Sequence, residues 1–322
     1  MNKALPDSTL ARWRYALKPA SWPKLLAPML LGQALGVHAA VRAGQFEPQK
    51  SAWVLGAGVL LSLLNLAYIV LLNDFADREV DAIKRRMFPN AGSPKTIYDG
   101  ILSAKQVLFG GLCAGVLTLV VSAALALWLG NLWFLFGVVT GLAVFWSYSL
   151  PPLRMNYRGG GELLETIGVG LVFPWIFYSA QSGRVFSGEL LLLLGTLCLA
   201  LSSAAASGLS DEDSDRRGGK RTLVTALGNR LARRLILSAL ALCVPLWAVA
   251  GVISPLPLWL TLSAAAFVAL GYLSVRRLDV GADRGQFAQL SRLKLALHVT
   301  IWGGQVVLAV LVALRGFFGG VP

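Results

Sequence analysis

The chain has 322 residues, of which 56% are hydrophobic and 14% charged, with a formal net charge of +13 and a mean hydropathy of +0.66. A soluble domain carries about 25% charged residues, so this composition excludes an ordinary soluble globular protein and indicates a polytopic membrane protein. In such a chain the positive excess is read as basic connections facing anionic lipid; the bilayer is an expected partner and nucleic acid is not.

Met1–Lys18 is polar and basic, and the first apolar run begins after Pro23, so no cleaved signal peptide is expected. A membrane-crossing helix needs about 20 apolar residues. Nine segments meet that length, roughly 24–41, 52–72, 104–128, 132–150, 163–181, 188–208, 232–251, 255–275 and 293–314. Gly, Pro and Ser interrupt several of them, which bundles tolerate. The expected fold is all-α, one transmembrane domain over residues 1–322 built as a bundle of nine spanning helices. Cys113, Cys198 and Cys243 each lie inside an apolar run. Odd in number and scattered, they read as packing residues rather than disulfides or metal ligands.

Lys and Arg alternate in density from one connection to the next. The N-terminal segment and the connections after spans two, four, six and eight hold 25 of the 29; Arg42, Lys50, Arg184 and Arg315 fall on the other side. The positive-inside rule then places the N-terminus in the cytoplasm and the C-terminus outside. The expected location is the cell inner (plasma) membrane, multi-pass, with the functional face cytoplasmic.

Two connections on that face hold nine of the sixteen acids. Asn73-Asp74-Phe-Ala-Asp77-Arg78-Glu79-Val-Asp81 follows span two, with Asp99 further on, and Asp211-Glu212-Asp213-Ser214-Asp215 follows span six. Residues four apart share a helix face, so Asn73, Asp77 and Asp81 form one stripe, and Asp211 and Asp215 another. Asp74 falls about 100° from the first stripe, where it could orient a partner. The two acidic segments suggest two related helical halves, each presenting one motif, without a longer repeat. Carboxylates at membrane depth are costly and mark function by default. Two carboxylate stripes suit Mg²⁺, which takes one or two carboxylates plus substrate phosphates. Cations follow each cluster: Arg78, Lys84, Arg85 and Arg86 after the first; Arg216, Arg217, Lys220 and Arg221 after the second. Such cations neutralise phosphate oxygens, and the bundle beyond them can hold an isoprenoid tail. Metals and cations would stabilise a diphosphate leaving group. Trp146, Tyr148 and Tyr157, flanking span four, could face the resulting allylic cation or belong to an interfacial aromatic belt.

At these residues the chain resembles the UbiA-type intramembrane prenyltransferases. Asn73-Asp74-x-x-Asp77-x-x-x-Asp81 matches that family's first motif. Asp211-x-Asp213-x-Asp215, followed by Gly219-Lys220-Arg221-Thr222-Leu223 and Leu227-Gly228, is similar to its second, with Asp213 where Glu is usual. Tyr148-Ser149-x-Pro151-Pro152-Leu153 resembles the segment after its fourth helix, and Leu17-Lys18-Pro19 the one before its first. The resemblance implies nine helices, Mg²⁺ as cofactor, a polyprenyl diphosphate donor and a lipophilic aromatic acceptor. It implies metal-facing roles for Asn73, Asp74, Asp77, Asp81, Asp211 and Asp215, with Asp77, Asp81, Asp211 and Asp215 catalytic. It further implies diphosphate contacts from Arg78, Lys84, Arg85, Lys95 and Lys220, and substrate contacts from Lys18, Tyr148 and Ser149. Lys95-Thr96-Ile97-x-x-Gly100-x-x-Ser103 stands where the family has Arg-Pro-Leu, so Lys95 would act as a point charge rather than a fork. The 82–103 connection reads as a lid. Gly-Lys-Arg-Thr-Leu at 219–223 and Arg158-Gly-Gly-Gly-Glu162 lean towards 1,4-dihydroxy-2-naphthoate, in menaquinone biosynthesis, as acceptor. 4-Hydroxybenzoate, homogentisate and a chlorophyllide are the alternatives.

His38 and His298 read as packed or interfacial, and Glu162 either contacts a cation of the site or marks a helix N-terminus. A cation-coupled transporter is the rival from another class. It would place acids near mid-span, whereas these lie at span ends ahead of basic runs.

Overall fold

The computed structural model describes residues 6, 8–89, 94–280, 282 and 286–318. Lys3 and Arg284 among the counted cations, and residues 90–93 of the 82–103 connection, lie outside the described residues. In chain order the helices are α1 (Thr9–Ala16), α2 (Pro23–Arg42), α3 (Pro48–Ala76), α4 (Arg78–Met87), α5 (Ala104–Leu129), α6 (Leu132–Ser149), α7 (Met155–Arg158), α8 (Gly161–Ile167), α9 (Phe173–Ser182), α10 (Leu193–Ser207), α11 (Glu212–Arg217), α12 (Leu223–Leu227), α13 (Asn229–Ile253), α14 (Leu258–Asp279) and α15 (Phe287–Phe318). A π turn over Gly168–Val172 joins α8 to α9, and a 3₁₀ turn over Gly188–Leu192 leads into α10.

Among the described residues nine helices are long and apolar enough to cross a membrane: Pro23–Arg42, Pro48–Ala76, Ala104–Leu129, Leu132–Ser149, Gly161–Ser182, Gly188–Ser207, Asn229–Ile253, Leu258–Asp279 and Phe287–Gly316. The expected all-α bundle is borne out, and this is a multi-pass membrane protein. The departure that bears on the acidic residues is the second span. It starts at Pro48, where a first-turn proline costs no hydrogen bond, and runs to Ala76, so the apolar helix carries Asn73 and Asp74 on its own last turn.

Two apolar cores organise the bundle. One joins α3, α5, α6 and α9 around Phe134, Phe145, Phe173 and Phe177; the other joins α10, α13, α14 and α15 around Trp247, Leu199 and Leu260. Helix α2 contributes to both and lies against α9 and α15. The acidic segments leave α3 and α10 at the same end of the bundle, each beside its own core. At the opposite end Glu189 is fully buried. It takes His38 Nδ1 at 3.1 Å and Arg42 Nη1 at 3.0 Å, and Ser187 also donates to it. This pairs the end of α2 with the start of the sixth span, and His38 is accounted for by that contact.

Small residues let α2 and α9 approach closely. A Cβ on Gly32 would stand 2.1 Å from Pro174 O, and one on Gly36 2.7 Å from Tyr178 O. Gly56 on α3 faces open space. We therefore expect Gly32→Ala to destabilise the detergent-solubilised protein by about 1–3 kcal/mol, read as a lower temperature of aggregation onset, while Gly56→Ala is neutral or slightly stabilising. Equal melting of the two variants would contradict this packing.

Candidate active site

The first acidic segment is not one uninterrupted helix. Asp77 closes α3 and opens α4 with φ −95° and ψ 4°. The ladder nevertheless continues, with Asp77 N–H donating to Asn73 O and Asp81 N–H to Asp77 O, both at 2.8 Å. In the second segment Asp211 stands at the N-cap of α11, and Asp215 N–H donates back to Asp211 O at 2.8 Å. Both segments meet in one cavity of about 310 Å³, lined by Asn73, Asp74, Asp77, Asp81, Asp211 and Asp215 together with side chains from α2, α6, α8, α10 and α15. Asp74 does not point away, as its 100° offset from Asn73 suggested. It lies at i, i+3 and i+7 with Asp77 and Asp81, a second spacing that shares a helix face, and that pattern was available in the sequence.

Each of five acids meets a lysine. Lys18 contacts Asp74, Lys84 contacts Asp211 and Lys95 contacts Asp81. Lys220 Nζ lies 2.5 Å from Asp77 Oδ2, and Lys24 Nζ 2.5 Å from Glu165 Oε1, the latter at an angle that is not a hydrogen bond's. Tyr157 donates to Asp77 Oδ1 at 2.9 Å and Thr96 to Asp74 Oδ2 at 2.6 Å. Asp74, Asp77, Asp81, Lys84 and Lys95 are all buried, so these contacts replace hydration that burial removed. Burial alone raises a carboxyl pKa and lowers an ammonium's. At Asp211 burial is outweighed by Lys84, Lys294 and Lys95, which hold the carboxyl well below the usual range. At Lys220 Asp77 and Asp215 outweigh burial and keep the ammonium charged. At Asp81 and Asp215 burial wins instead: it raises Asp81 against the pull of Lys95, and pushes Asp215 up to about 7 against the pull of Lys220.

Among the expected site residues, Lys18, Lys84, Lys95, Lys220 and Tyr148 line the cavity with the acids. Three do not. Arg78 is exposed and donates to Phe75 O at 2.8 Å. Arg85 turns to Asp99. Ser149 sits behind Asn73, donating to its Oδ1 at 3.3 Å. Of the three aromatic candidates, Trp146 faces outward and donates to Pro151 O at 2.9 Å, Tyr157 is held by Asp77, and Tyr148 borders the cavity beside Phe145. Asp213 lines a separate crevice near Phe88. The sequence reading gave no site role to Lys24, Glu165 or Lys294, whose only signal is a polar residue near the end of an apolar segment, nor to Thr96, which it noted only as the neighbour of Lys95. Glu162 accepts the Leu223 N–H at 2.6 Å, tying the fifth span to the 219–223 segment.

The donor set fits Mg²⁺, since carboxylates are hard oxygen ligands and one or two suffice when phosphate supplies the rest. Among the described residues no three His, Cys, Asp or Glu side chains converge as a ready metal cage; the acids point at lysines.

The 94–103 segment is clamped by one carboxylate. Arg85 reaches Asp99 through two hydrogen bonds of 2.9 and 2.7 Å, Tyr15 donates to it at 2.6 Å and the Lys95 N–H at 3.0 Å. Asp99 thereby joins α1, α4 and the segment bearing Lys95 and Thr96. Its carboxyl is held below the ordinary 3.8: burial raises it, but Arg85 and Tyr15 outweigh that.

The sequence matches the UbiA prenyltransferase family over residues 25–297. It is 28% identical over 268 residues to a 1,4-dihydroxy-2-naphthoate octaprenyltransferase of Haemophilus influenzae, covering 79% of this chain and 82% of that one. It is 26% identical over 311 residues to a 2-carboxy-1,4-naphthoquinone phytyltransferase of a Synechocystis species, covering 94% and 93%. The fold is similar to that of a UbiA homologue from Archaeoglobus fulgidus, solved with DMAPP and Mg²⁺, with a TM-score of 0.65 at 17% identity over 93% of this chain and 99% of that one.

Asp99→Asn should weaken the clamp by about 1.5–3 kcal/mol, the range for hydrogen bonds to charged groups. The expected readout is faster hydrogen exchange over 94–103. A carboxyl with a depressed folded-state pKa contributes stability above its unfolded value and loses it as pH falls through the lower one. Protection of the segment in the wild type should therefore hold at pH 5 and fade only as the pH drops below 3.8; a loss between pH 5 and 7 would contradict the clamp.

Proposed function

The chain belongs to the UbiA prenyltransferase family, and from that membership and the paired acids and lysines of its cavity we propose that it transfers a polyprenyl group from a polyprenyl diphosphate to 1,4-dihydroxy-2-naphthoate in menaquinone biosynthesis. The acceptor reading is supported by relatives named for that substrate and for 2-carboxy-1,4-naphthoquinone. The single observation that carries the reaction class is the cavity, where Asp74, Asp77, Asp81, Asp211 and Asp215 meet Lys18, Lys84, Lys95 and Lys220 at one end of an apolar bundle. The location that suits this chemistry is the inner (plasma) membrane with the site at the cytoplasmic face, on the side bearing most Lys and Arg.

Bound Mg²⁺, carried by Asp77, Asp81, Asp211 and Asp215 with Asn73 and Asp74 beside them, would neutralise the diphosphate as a leaving group. Lys84, Lys95 and Lys220 arrive from three different segments and all line this one cavity, where each can exchange a carboxylate for a phosphate oxygen. Each is a point charge with three donors, suited to oxygens whose charge grows as the C–O bond opens. Tyr148 and Phe145 border the cavity and offer ring faces to an allylic cation. Arg78 and Arg85, committed elsewhere, are not part of this assignment.

Purified protein should release diphosphate from geranylgeranyl diphosphate and longer donors when 1,4-dihydroxy-2-naphthoate is added, with release abolished by chelation and restored by Mg²⁺. Asp77→Asn and Asp211→Asn should each lower release about a hundredfold or more while the protein still inserts and elutes as the wild type does. Near-normal turnover in either variant would sink the assignment of the acids.

A further inference from the structure

A second cavity, about 800 Å³, lies between the N-terminal segment and α15. Five residues line both it and the catalytic cavity: Lys18, Ser21, Lys24, Ser207 and Lys294. The two spaces therefore share a wall, and three of its five residues are lysines. Lys18 and Lys24 are matched by Asp74 and Glu165. Lys294 has no carboxylate within ion-pair distance among the described residues: its hydrogen bond is to Ser207 O at 3.3 Å, and Asp211 acts on it only from farther off. An ammonium has three donors, and in a partly buried wall an unmatched one favours an incoming anion.

Helix α15 sets two further side chains on the same face. Lys294, His298 and Trp302 follow at i, i+4 and i+8 and all line the second cavity. His298 stacks on Trp302 with centroids 4.6 Å apart and planes 19° from parallel. His298 Nε2 is buried without a hydrogen-bond partner among the described residues. An ammonium, an unpartnered imidazole nitrogen and an aromatic surface thus succeed one another along a wall that ends at the catalytic cavity. Pro19 and Ala20 border the same space. These features match a planar, hydroxylated aromatic carboxylate: charge at one end, ring faces beside it, and a polar atom for a ring oxygen.

We propose that Lys294 receives the carboxylate of the aromatic acceptor and that His298 and Trp302 bound its ring, so that this cavity is the acceptor subsite and Lys294 selects carboxylated acceptors. The inference rests on the acceptor reading above. The donor diphosphate has its own lysines on α4, on the 94–103 segment and after α11, whereas Lys294 stands apart on α15.

The test uses full-length purified protein in detergent and two probes that differ only by a carboxylate, 1-hydroxy-2-naphthoate and 1-naphthol, with binding followed by fluorescence. Wild-type protein should prefer the carboxylated probe by about 10- to 100-fold, the value of a charge-assisted contact. Lys294→Gln should erase that preference, Lys294→Arg should keep most of it, and Trp302→Leu should weaken both probes alike. Equal affinity of the two probes for the wild type overturns the proposal without any variant. So does a preference that survives Lys294→Gln, or a rise in donor KM in that variant matching the loss for acceptor, which puts Lys294 among the phosphate ligands. Wild-type protein that binds neither probe, yet releases diphosphate with 4-hydroxybenzoate, homogentisate or a chlorophyllide, overturns the naphthoate reading and this proposal with it; loss of the preference in Lys294→Gln alone leaves that reading standing.

Discussion

Carboxylates gathered at the end of an apolar bundle need cations within contact distance, and much of the architecture around this site serves that need. Removing one member of a buried ion pair leaves an uncompensated charge and costs about 3–5 kcal/mol. Here the partners come from widely separated segments. Lys18 precedes α2, Lys84 lies on α4, Lys95 on the 94–103 segment and Lys220 beyond α11, and each reaches an acid between 14 and 143 positions away. The pairs therefore do more than neutralise charge: they join short extramembrane pieces, each too small to fold alone, into one cap over the bundle.

That pairing also bears on chemistry. A cavity whose acids and lysines balance is close to neutral when empty, so its charges are held without large self-repulsion. A ligand that is anionic and metal-bound can exchange with both partners of each pair, its phosphate oxygens taking the lysines and its metal taking the carboxylates. The arrangement suits a substrate whose own phosphates complete the metal's coordination. The clamp at Asp99 holds the lysine-bearing segment from behind, through Arg85 and Tyr15 rather than through the cavity residues.

The two ends of the bundle use buried charge differently. At the far end Glu189 is enclosed by His38, Arg42 and Ser187, a closed set that ties helices together. At the near end the ion pairs border open space. A buried acid surrounded on all sides is a structural tie, while one facing a cavity can change partners; the same residue types thus read differently by what adjoins them.

Nine spans and the two acidic stripes were legible from the residues alone, because span length and the spacing at 73, 77, 81 and 211, 215 are local properties of a helix or its connection. Asp74 was nearly legible, through an i, i+3, i+7 pattern overshadowed by the i, i+4 one. The partners were not. Arg78 and Lys84 both follow the first motif, yet only Lys84 enters the cavity, and Arg85, its neighbour, faces Asp99 instead. Lys24, Glu165 and Lys294 carry little local mark, because they come together only where α2, α8 and α15 border the same cavity. Sequence determines which side chains a helix face presents; which of them meet is decided by the crossing of helices far apart in the chain, where burial makes an unmatched charge too costly to leave alone.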